Sequence, residues 1–204
     1  MIDRLPLLAL LALASLPASA AAPTAKRNFS VPSFDRIRVD GPFQVVLRIG
    51  PKKKKGMRWG WSSHGNASFT VNVAALRGAA IAGSGGIAVD KVAGDFEGEV
   101  AGSGDHRLAS VAGGKISLAI AGSGDVQAAG KADSVDIAIA GSGGVDAKGL
   151  ATRTASVSIA GSGSVSAQAS DTADVSIMGS GDVEMTGGAK CTVSKAGSGD
   201  VRCS

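Results

Sequence analysis

The chain reads LAIAGSGDV at residues 118–126, IAIAGSGGV at residues 137–145 and VSIAGSGSV at residues 157–165. The Gly-Ser-Gly triplet occurs seven times, with successive spacings of 19, 20, 19, 20, 18 and 18 residues. A near-constant period of this length indicates one structural unit repeated in tandem. The triplets begin at Gly83, Gly102, Gly122, Gly141, Gly161, Gly179 and Gly197.

Apolar side chains alternate with small or polar ones on both sides of each triplet. Ile120 and Ile139 stand two residues before a triplet, and Val126 and Val145 stand four residues after the first glycine. An apolar period of two residues is typical of strands with one buried face. Each unit is therefore predicted to be a strand, a Gly-Ser-Gly corner, a second strand and a connection.

Units of equal length that present the same inward residues can stack, so that each unit covers the apolar face of its neighbour. We predict an all-β fold, a parallel β-helix (β-solenoid) of about seven short coils over residues 78–204. The alternative is an antiparallel meander in which every triplet is a hairpin turn. Stacking is favoured because the same apolar columns recur in every unit. Glycines at the corners permit a positive φ or a close backbone approach.

Composition and charge limit the class of protein. The 204 residues are 44% hydrophobic but only 3% aromatic, with 30 Gly, which disfavours an aromatic-rich core. Residues 21–77 contain 11 Lys/Arg and two Asp, giving +9, whereas residues 78–204 contain 9 Lys/Arg and 14 Asp/Glu, giving −5. The chain thus has a basic head and an acidic body. Two His and two Cys leave no room for a four-ligand zinc cluster beside any other role.

The start of the chain has the pattern of an export signal. Arg4 precedes an apolar run from Leu5 to Leu16, followed by Ala18-Ser19-Ala20. A charged start, an apolar stretch and small residues are typical of a secretory signal peptide. A membrane anchor is the alternative, but about 12 apolar residues fall short of the roughly 20 that span a bilayer. The predicted divisions are a signal peptide over 1–20, a linker over 21–28, N-terminal strands with a Lys-rich loop over 29–77, and the solenoid over 78–204.

The last repeat differs from the others in a way that would close the end of a solenoid. Lys195 breaks the Ile column, and Cys191 and Cys203 take inward positions six residues before and after Gly197. In an oxidising compartment these two cysteines are expected to form a disulfide that staples the terminal coil. The alternative is a pair of free buried thiols. No Cys-x-x-Cys motif is present, so a redox enzyme is not indicated.

Three kinds of segment together form a recognisable pattern: FDRIRVDGPFQV at 34–45, FTVNV at 69–73, and GSGDV at 122–126, 179–183 and 197–201. In these segments the chain resembles a known family, the head GIN domain of putative auto-transporter adhesins, which is found in bacterial extracytoplasmic proteins. The resemblance covers roughly the chain from residue 29 to its end. It implies a right-handed β-helix and an adhesin-like role, and it supplies no catalytic residues.

One stretch departs from the family pattern. The family usually has one or more further strands between Gly50 and Phe69, whereas this chain has a lysine run that leads into Met57, so the first layers are expected to be short. The basic and aromatic side chains of this loop are candidate contacts for polyanions or glycans, with the tryptophans stacking on sugars. A solvated loop is the alternative. The candidates are Lys52, Lys53, Lys54, Lys55, Arg58, Trp59 and Trp61.

Two rows of polar residues accompany the triplets. The serines would line one edge of the rod, but the Gly-x-Ser-x-Gly spacing of a nucleophile elbow is absent, and His106 replaces an inward Val. Carboxylates follow some triplets and could hold Ca²⁺, or could instead accept backbone hydrogen bonds as turn caps. The interrupted row favours turn capping, and no metal site is assigned. The weak metal candidates are Asp105, Asp125, Asp182 and Asp200.

These observations lead to one interpretation of function and one alternative. We expect an exported protein, periplasmic, cell-surface associated or secreted, that acts as a non-enzymatic, adhesin-like interaction module of the envelope. The alternative is a β-helix that binds or acts on polysaccharide. The expected partner is a cell-envelope component or a glycan, with neither nucleic acid binding nor integral membrane insertion. No cofactor is expected, because no helix follows Gly83-Ser84-Gly85-Gly86 to complete a dinucleotide site.

Overall fold

The computed structural model describes residues 27–29, 34–49, 57–61 and 67–204. Within those ranges every regular element is a strand, and none forms a helix long and apolar enough to cross a bilayer. The predicted signal peptide and the run Lys52–Lys55 lie outside the described residues. The strands of the first half are β1 Arg27–Phe29, β2 Arg36–Asp40, β3 Gln44–Ile49, β4 Met57–Trp61, β5 Ala67–Val73, β6 Gly78–Gly83, β7 Gly86–Val89, β8 Val92–Ala93 and β9 Phe96–Gly102.

The strands of the second half are longer and more regular. Two of them, β14 and β15, are continuous through a connection, so each belongs to two successive coils. They are β10 Asp105–Ala112, β11 Lys115–Gly122, β12 Asp125–Lys131, β13 Ser134–Gly141, β14 Gly144–Gly161, β15 Ser164–Gly179, β16 Asp182–Thr186, β17 Lys190–Ala196 and β18 Val201–Cys203.

The fold is a parallel β-solenoid of about seven turns. The strands before the corners form one column, β2, β6, β9, β11, β13, β14, β15 and β17, in which each strand pairs in parallel with the next. The strands after the corners form a second column in the same way. Parallel pairing of successive coils confirms the predicted solenoid and contradicts the alternative of an antiparallel meander.

Apolar side chains stack in register inside the rod. Ile120 pairs with Ile139, Ile139 pairs with Ile159, and Ile159 pairs with Ile177. These four side chains are at most 3% exposed. The alternation in the sequence therefore places like residues on top of one another, and their burial is the main favourable term that holds each coil to the next.

The glycine corners allow neighbouring coils to approach closely. Gly141 has φ of +134°, a conformation that side chains rarely adopt. The amide of Ser142 donates to the carbonyl of Gly122 in the preceding coil at 2.9 Å. A Cβ placed on Gly163 would lie 2.7 Å from the Gly143 carbonyl oxygen, so the third glycine is required by backbone proximity.

A disulfide links the two strands of the C-terminal coil, as expected from the sequence. Cys191 and Cys203 form a disulfide with a Cα–Cα distance of 6.6 Å, which confirms the pairing. They stack on the inward residues Ala173 and Met185 of the preceding coil. Because no further coil covers them among the described residues, Cys203 is exposed and Cys191 is only partly buried. The Nζ of Lys195 donates to the carbonyl of Gly199 at 2.7 Å.

The N-terminal end differs from the regular rod. Strand β3 pairs in parallel with both β5 and β7, so β5 lies beyond the first coil. Strand β4 then pairs antiparallel with β5 and with β1. The stretch in which the sequence analysis expected short first layers thus contains a strand, Met57–Trp61.

Candidate functional site

The broadest candidate binding surface is the outer side of the strands that precede the corners. On β11, β13 and the second half of β14, exposed or half-buried residues, most of them small, alternate with buried aliphatic residues, and Ala101 of β9 continues the row. The alternation that fills the core therefore also sets what this outer side presents. We call it the alanine face, and its residues are Ala101, Ala119, Ala121, Ala138, Ala140, Ser158 and Ala160.

The alanine face contains a shallow groove of about 440 Å³. One row of it runs along the rod, since Ala121 pairs with Ala140 and Ala140 pairs with Ala160. The next residue in that row is Met178, which is 67% exposed. Glu99 lines the opposite end of the groove. The result is an apolar trough with a flexible, polarizable side chain at one end and a carboxylate at the other.

A second, smaller groove of about 280 Å³ adjoins the first and has a different character. Arg36 and Arg38 line one side, and Glu97 and Glu99 line the other. Arg36 Nη1 lies 2.9 Å from Glu97 Oε2 across the floor at Gly78. This groove presents both signs of charge, so it suits a polar ligand better than an apolar one.

The carboxylates that follow the triplets lie on the outside of the rod and hold neighbouring coils together. Asp125 Oδ1 accepts the amide of Gly144 at 3.0 Å, and Asp182 Oδ1 accepts the amide of Asp200 at 3.0 Å. These contacts are the backbone hydrogen bonds of the turn-capping interpretation. Among the described residues, no group of three or more His, Cys, Asp or Glu side chains could hold a metal ion. Asp105 likewise lies on the exposed side of its strand.

Several other outward charged side chains form ion pairs. Lys115 Nζ lies 2.6 Å from Asp136 Oδ2, and Lys148 Nζ lies 2.8 Å from Glu184 Oε2. The hydrogen bond to Asp136 raises the pKa of Lys115, and the hydrogen bond from Lys148 lowers the pKa of Glu184. All four side chains are exposed to solvent, so the pairs add little to stability. They do reduce the charge available to a ligand on these coils.

The serine row lies at the exposed corners, whereas His106 lies inside the rod and is 1% exposed. The imidazole therefore faces the interior on the other side of the coil wall from the hydroxyls, and it cannot act as a base for them. His64, the second histidine of the chain, lies outside the described residues. Among the residues that the structure describes, the serine row and a histidine base are therefore not brought together as a serine hydrolase needs.

Most of the predicted basic contact site cannot be located in the structure. Lys52–Lys55 lie outside the described residues, and Arg58, Trp59 and Trp61 belong to β4. In β4, Trp59 pairs with Phe69 of β5. These three residues therefore belong to a strand, and the polyanion or glycan site remains a prediction.

Sequence reasoning missed the alanine face as a candidate site. Its signal was present, because Ala recurs one residue before most triplets and often three residues before. In the sequence these positions are distinguished only as the polar or small residues that alternate with the buried ones. Their apolar, groove-forming character arises because four coils bring them side by side.

Comparisons with known proteins agree with this architecture. The family described as putative auto-transporter adhesin, head GIN domain, matches residues 44–189. The chain is similar to a solved putative adhesin from Bacteroides fragilis, with 16% identity, a TM-score of 0.75, and coverage of 88% of this chain and 96% of the other. No curated protein matches the sequence significantly.

Two further solved structures have the same fold. A putative lipid binding protein from Parabacteroides distasonis has 20% identity and a TM-score of 0.71, covering 89% of this chain and 96% of its own. A putative adhesin from Parabacteroides merdae has 16% identity and a TM-score of 0.68, with the same two coverages. At these identities the likeness establishes the fold and not a shared ligand.

Proposed function

Because this chain belongs to the head GIN domain family of putative auto-transporter adhesins, we propose that it is a non-enzymatic, adhesin-like binding protein of the cell envelope. Family membership is the observation that carries the proposal. The geometry supports it, since the outward residues of the alanine face form long rows of similar side chains along the rod. Such rows suit contact with an extended surface or polymer.

The protein acts outside the cytoplasm in this proposal. The support is the signal-like pattern of residues 1–20, together with the Cys191–Cys203 disulfide, since disulfides persist in oxidising compartments. Expression of the full chain in a bacterium, followed by fractionation and intact-mass measurement, tests this. We expect the envelope fraction to hold a chain beginning at residue 21 and two mass units below the fully reduced form. An uncleaved chain in the cytoplasm would contradict the location.

The alanine face is the contact surface that we propose. Contiguous exposed apolar surface on a soluble rod marks an interaction site more often than scattered apolar residues do. Burial of this groove would remove alanine methyl groups from water, and a ligand extending along the row would also cover the exposed Met178 side chain. The basic segment with Lys52–Lys55, Arg58, Trp59 and Trp61 is proposed as a second contact, for polyanions or glycans.

A lipid acyl chain is the second candidate ligand for the same groove. One observation favours it, because the groove is apolar and a protein of this fold carries the description of a lipid binding protein. The polysaccharide alternative depends on the basic segment and not on the groove. Lipid binding should therefore respond to substitutions in the groove, and polysaccharide binding to substitutions in the basic segment.

The test uses purified residues 21–204 against a glycan array, neutral and anionic lipid vesicles, and an envelope extract. Ala140→Lys places a charge in the groove, and Gln127→Lys places the same charge on the exposed side of β12 as a matched control. We expect Ala140→Lys, but not Gln127→Lys, to weaken binding to neutral vesicles or to the envelope extract, and neither change to weaken glycan binding through the basic segment. If all three proteins bind equally, the alanine face is not the contact surface. If the unaltered protein binds nothing in any arm, the adhesin-like function fails.

A further inference from the structure

His106 is the one polar residue in a column of buried aliphatic side chains. It pairs with Ile87 of the preceding coil and with Val126 of the following coil. The side chain is 1% exposed, and neither ring nitrogen has a hydrogen-bond partner. A buried polar group without a partner is costly, so its presence in the column calls for a physical explanation.

The opposite wall of the same coil explains how the ring is accommodated. Gly98 stands where the next coil has Leu118, and a Cβ on Gly98 would lie 3.0 Å from both Cε1 and Nδ1 of His106. The Phe96 ring lies beside the imidazole, with centroids 5.8 Å apart. The missing side chain at Gly98 thus provides the volume that the imidazole fills. Gly98 and His106 both depart from the repeat, and the two departures compensate each other in volume within one coil.

No ionisable group faces the imidazole from the strands packed against it. Strand β7 has none, and β9, β10, β11 and β12 carry theirs at exposed or partly buried outward positions. Burial alone lowers the pKa of His106 from 6.5 to about 4. The outward charges of these strands are Glu97, Glu99, Asp105, Arg107, Lys115, Asp125 and Lys131.

We propose that the coil formed by β9 and β10 is an acid-sensitive seam of the rod, which opens when His106 takes up one proton. A cation inside this column would be buried without a protein acceptor, so the coil must open to solvate it. In a solenoid each coil contacts only its neighbours, so the opening separates the coils on either side locally. The coils from β13 onward have aliphatic or Ala residues in these inward columns and retain their stacking.

The direction of the effect follows from proton binding. The folded-state pKa lies below the unfolded value, so the neutral imidazole is compatible with a closed coil above pH 6.5. Closure is then progressively lost as the pH falls from 6.5 towards 4. At pH 4.5 the opening equilibrium constant should exceed its value at pH 7.5 by about 70-fold, from the ratio of proton binding in the open and closed forms.

Hydrogen exchange followed by mass spectrometry at pH 7.5 and pH 4.5, corrected for intrinsic rates, tests the seam. We expect protected amides of β7, β9 and β10 to exchange about 70-fold faster at pH 4.5 than at pH 7.5, while those of β14 and β15 change little. His106→Phe keeps an aromatic ring, somewhat larger than imidazole, without a titrating group, and it should abolish the local acid effect. Asp105→Asn, an outward neighbour, should leave the effect intact.

Three results would overturn the proposal. The first is the same acid loss of protection in His106→Phe as in the unaltered chain. The second is loss of protection spread evenly over all coils. The third is unchanged protection at β9 and β10 down to pH 4. If His106→Phe does not fold, His106→Leu provides the same comparison with a smaller side chain.

Discussion

Ile139→Asp tests the assignment of the buried column, and Ala140→Asp, one residue along the same strand, is its control. Ile139 is 3% exposed between Ile120 and Ile159, whereas Ala140 points outward. The first change places a carboxylate in the middle of the rod. The second places it in solvent on the alanine face.

The expected losses of unfolding free energy for the two variants differ by about an order of magnitude. Truncating a buried Ile costs about 2–5 kcal/mol. Keeping the new carboxyl neutral at pH 7 adds about 1.4 kcal/mol for each unit by which burial raises its pKa. A total near 6 kcal/mol is comparable with the whole stability of about 5–15 kcal/mol for a typical domain. A surface change such as Ala140→Asp stays within about 0.5 kcal/mol.

Urea unfolding followed by far-UV circular dichroism measures both variants. We expect Ile139→Asp to be partly or wholly unfolded without denaturant, and Ala140→Asp to unfold at nearly the original midpoint. Ile139→Val provides a graded point, with an expected loss of about 1 kcal/mol. Similar midpoints for the two Asp variants would refute the inward assignment of Ile139 and the stacked-column argument with it.

Three other predictions concern the corners and the end of the rod. Gly163→Ala should lower the free energy of unfolding in urea by about 1–3 kcal/mol, because its Cβ would meet the preceding coil. Ser162→Ala should lower it by no more than about 1 kcal/mol. Equal losses for the two variants would contradict the close-approach argument. Replacing Cys191 and Cys203 together by Ser should lower the unfolding free energy by about 3 kcal/mol, and a reductant should produce the same loss in the unaltered chain. A reductant effect that persists in the double variant would argue against the staple. Lys195→Ile should promote end-to-end association, because it removes the charge from the terminal apolar column. Light scattering measures the resulting mass. A variant that keeps the mass of the original chain would show that Lys195 does not protect this end.

Much of the fold could be read from residues close together in the chain. Ile120, Val126 and the glycines between them reveal strand, corner and strand within nine residues. The same spacing predicts the Cys191–Cys203 disulfide, because it gives both cysteines inward positions in the last coil. These signals are readable because alternation and corner chemistry act over a few residues.

The candidate site was far less predictable. The groove joins Ala101, Ala121, Ala140 and Ala160, which are about 20 residues apart in sequence and adjacent only after stacking. A single Ala beside a buried Ile carries no information about a groove. The charged and aromatic segment around Lys52–Lys55 stands out in the sequence instead, but those lysines lie outside the described residues and its tryptophans belong to β4.

The sequence alone determined the repeating unit, the inward and outward residues and the position of the staple. Only the tertiary structure decided that successive units pair in parallel, that β4 adds antiparallel to β5, and that Gly98 makes space for His106. The physical reason is the range of the interactions involved. Alternation and turn chemistry are local, whereas strand pairing, groove formation and the fit of one side chain against another depend on contacts between residues distant in the chain.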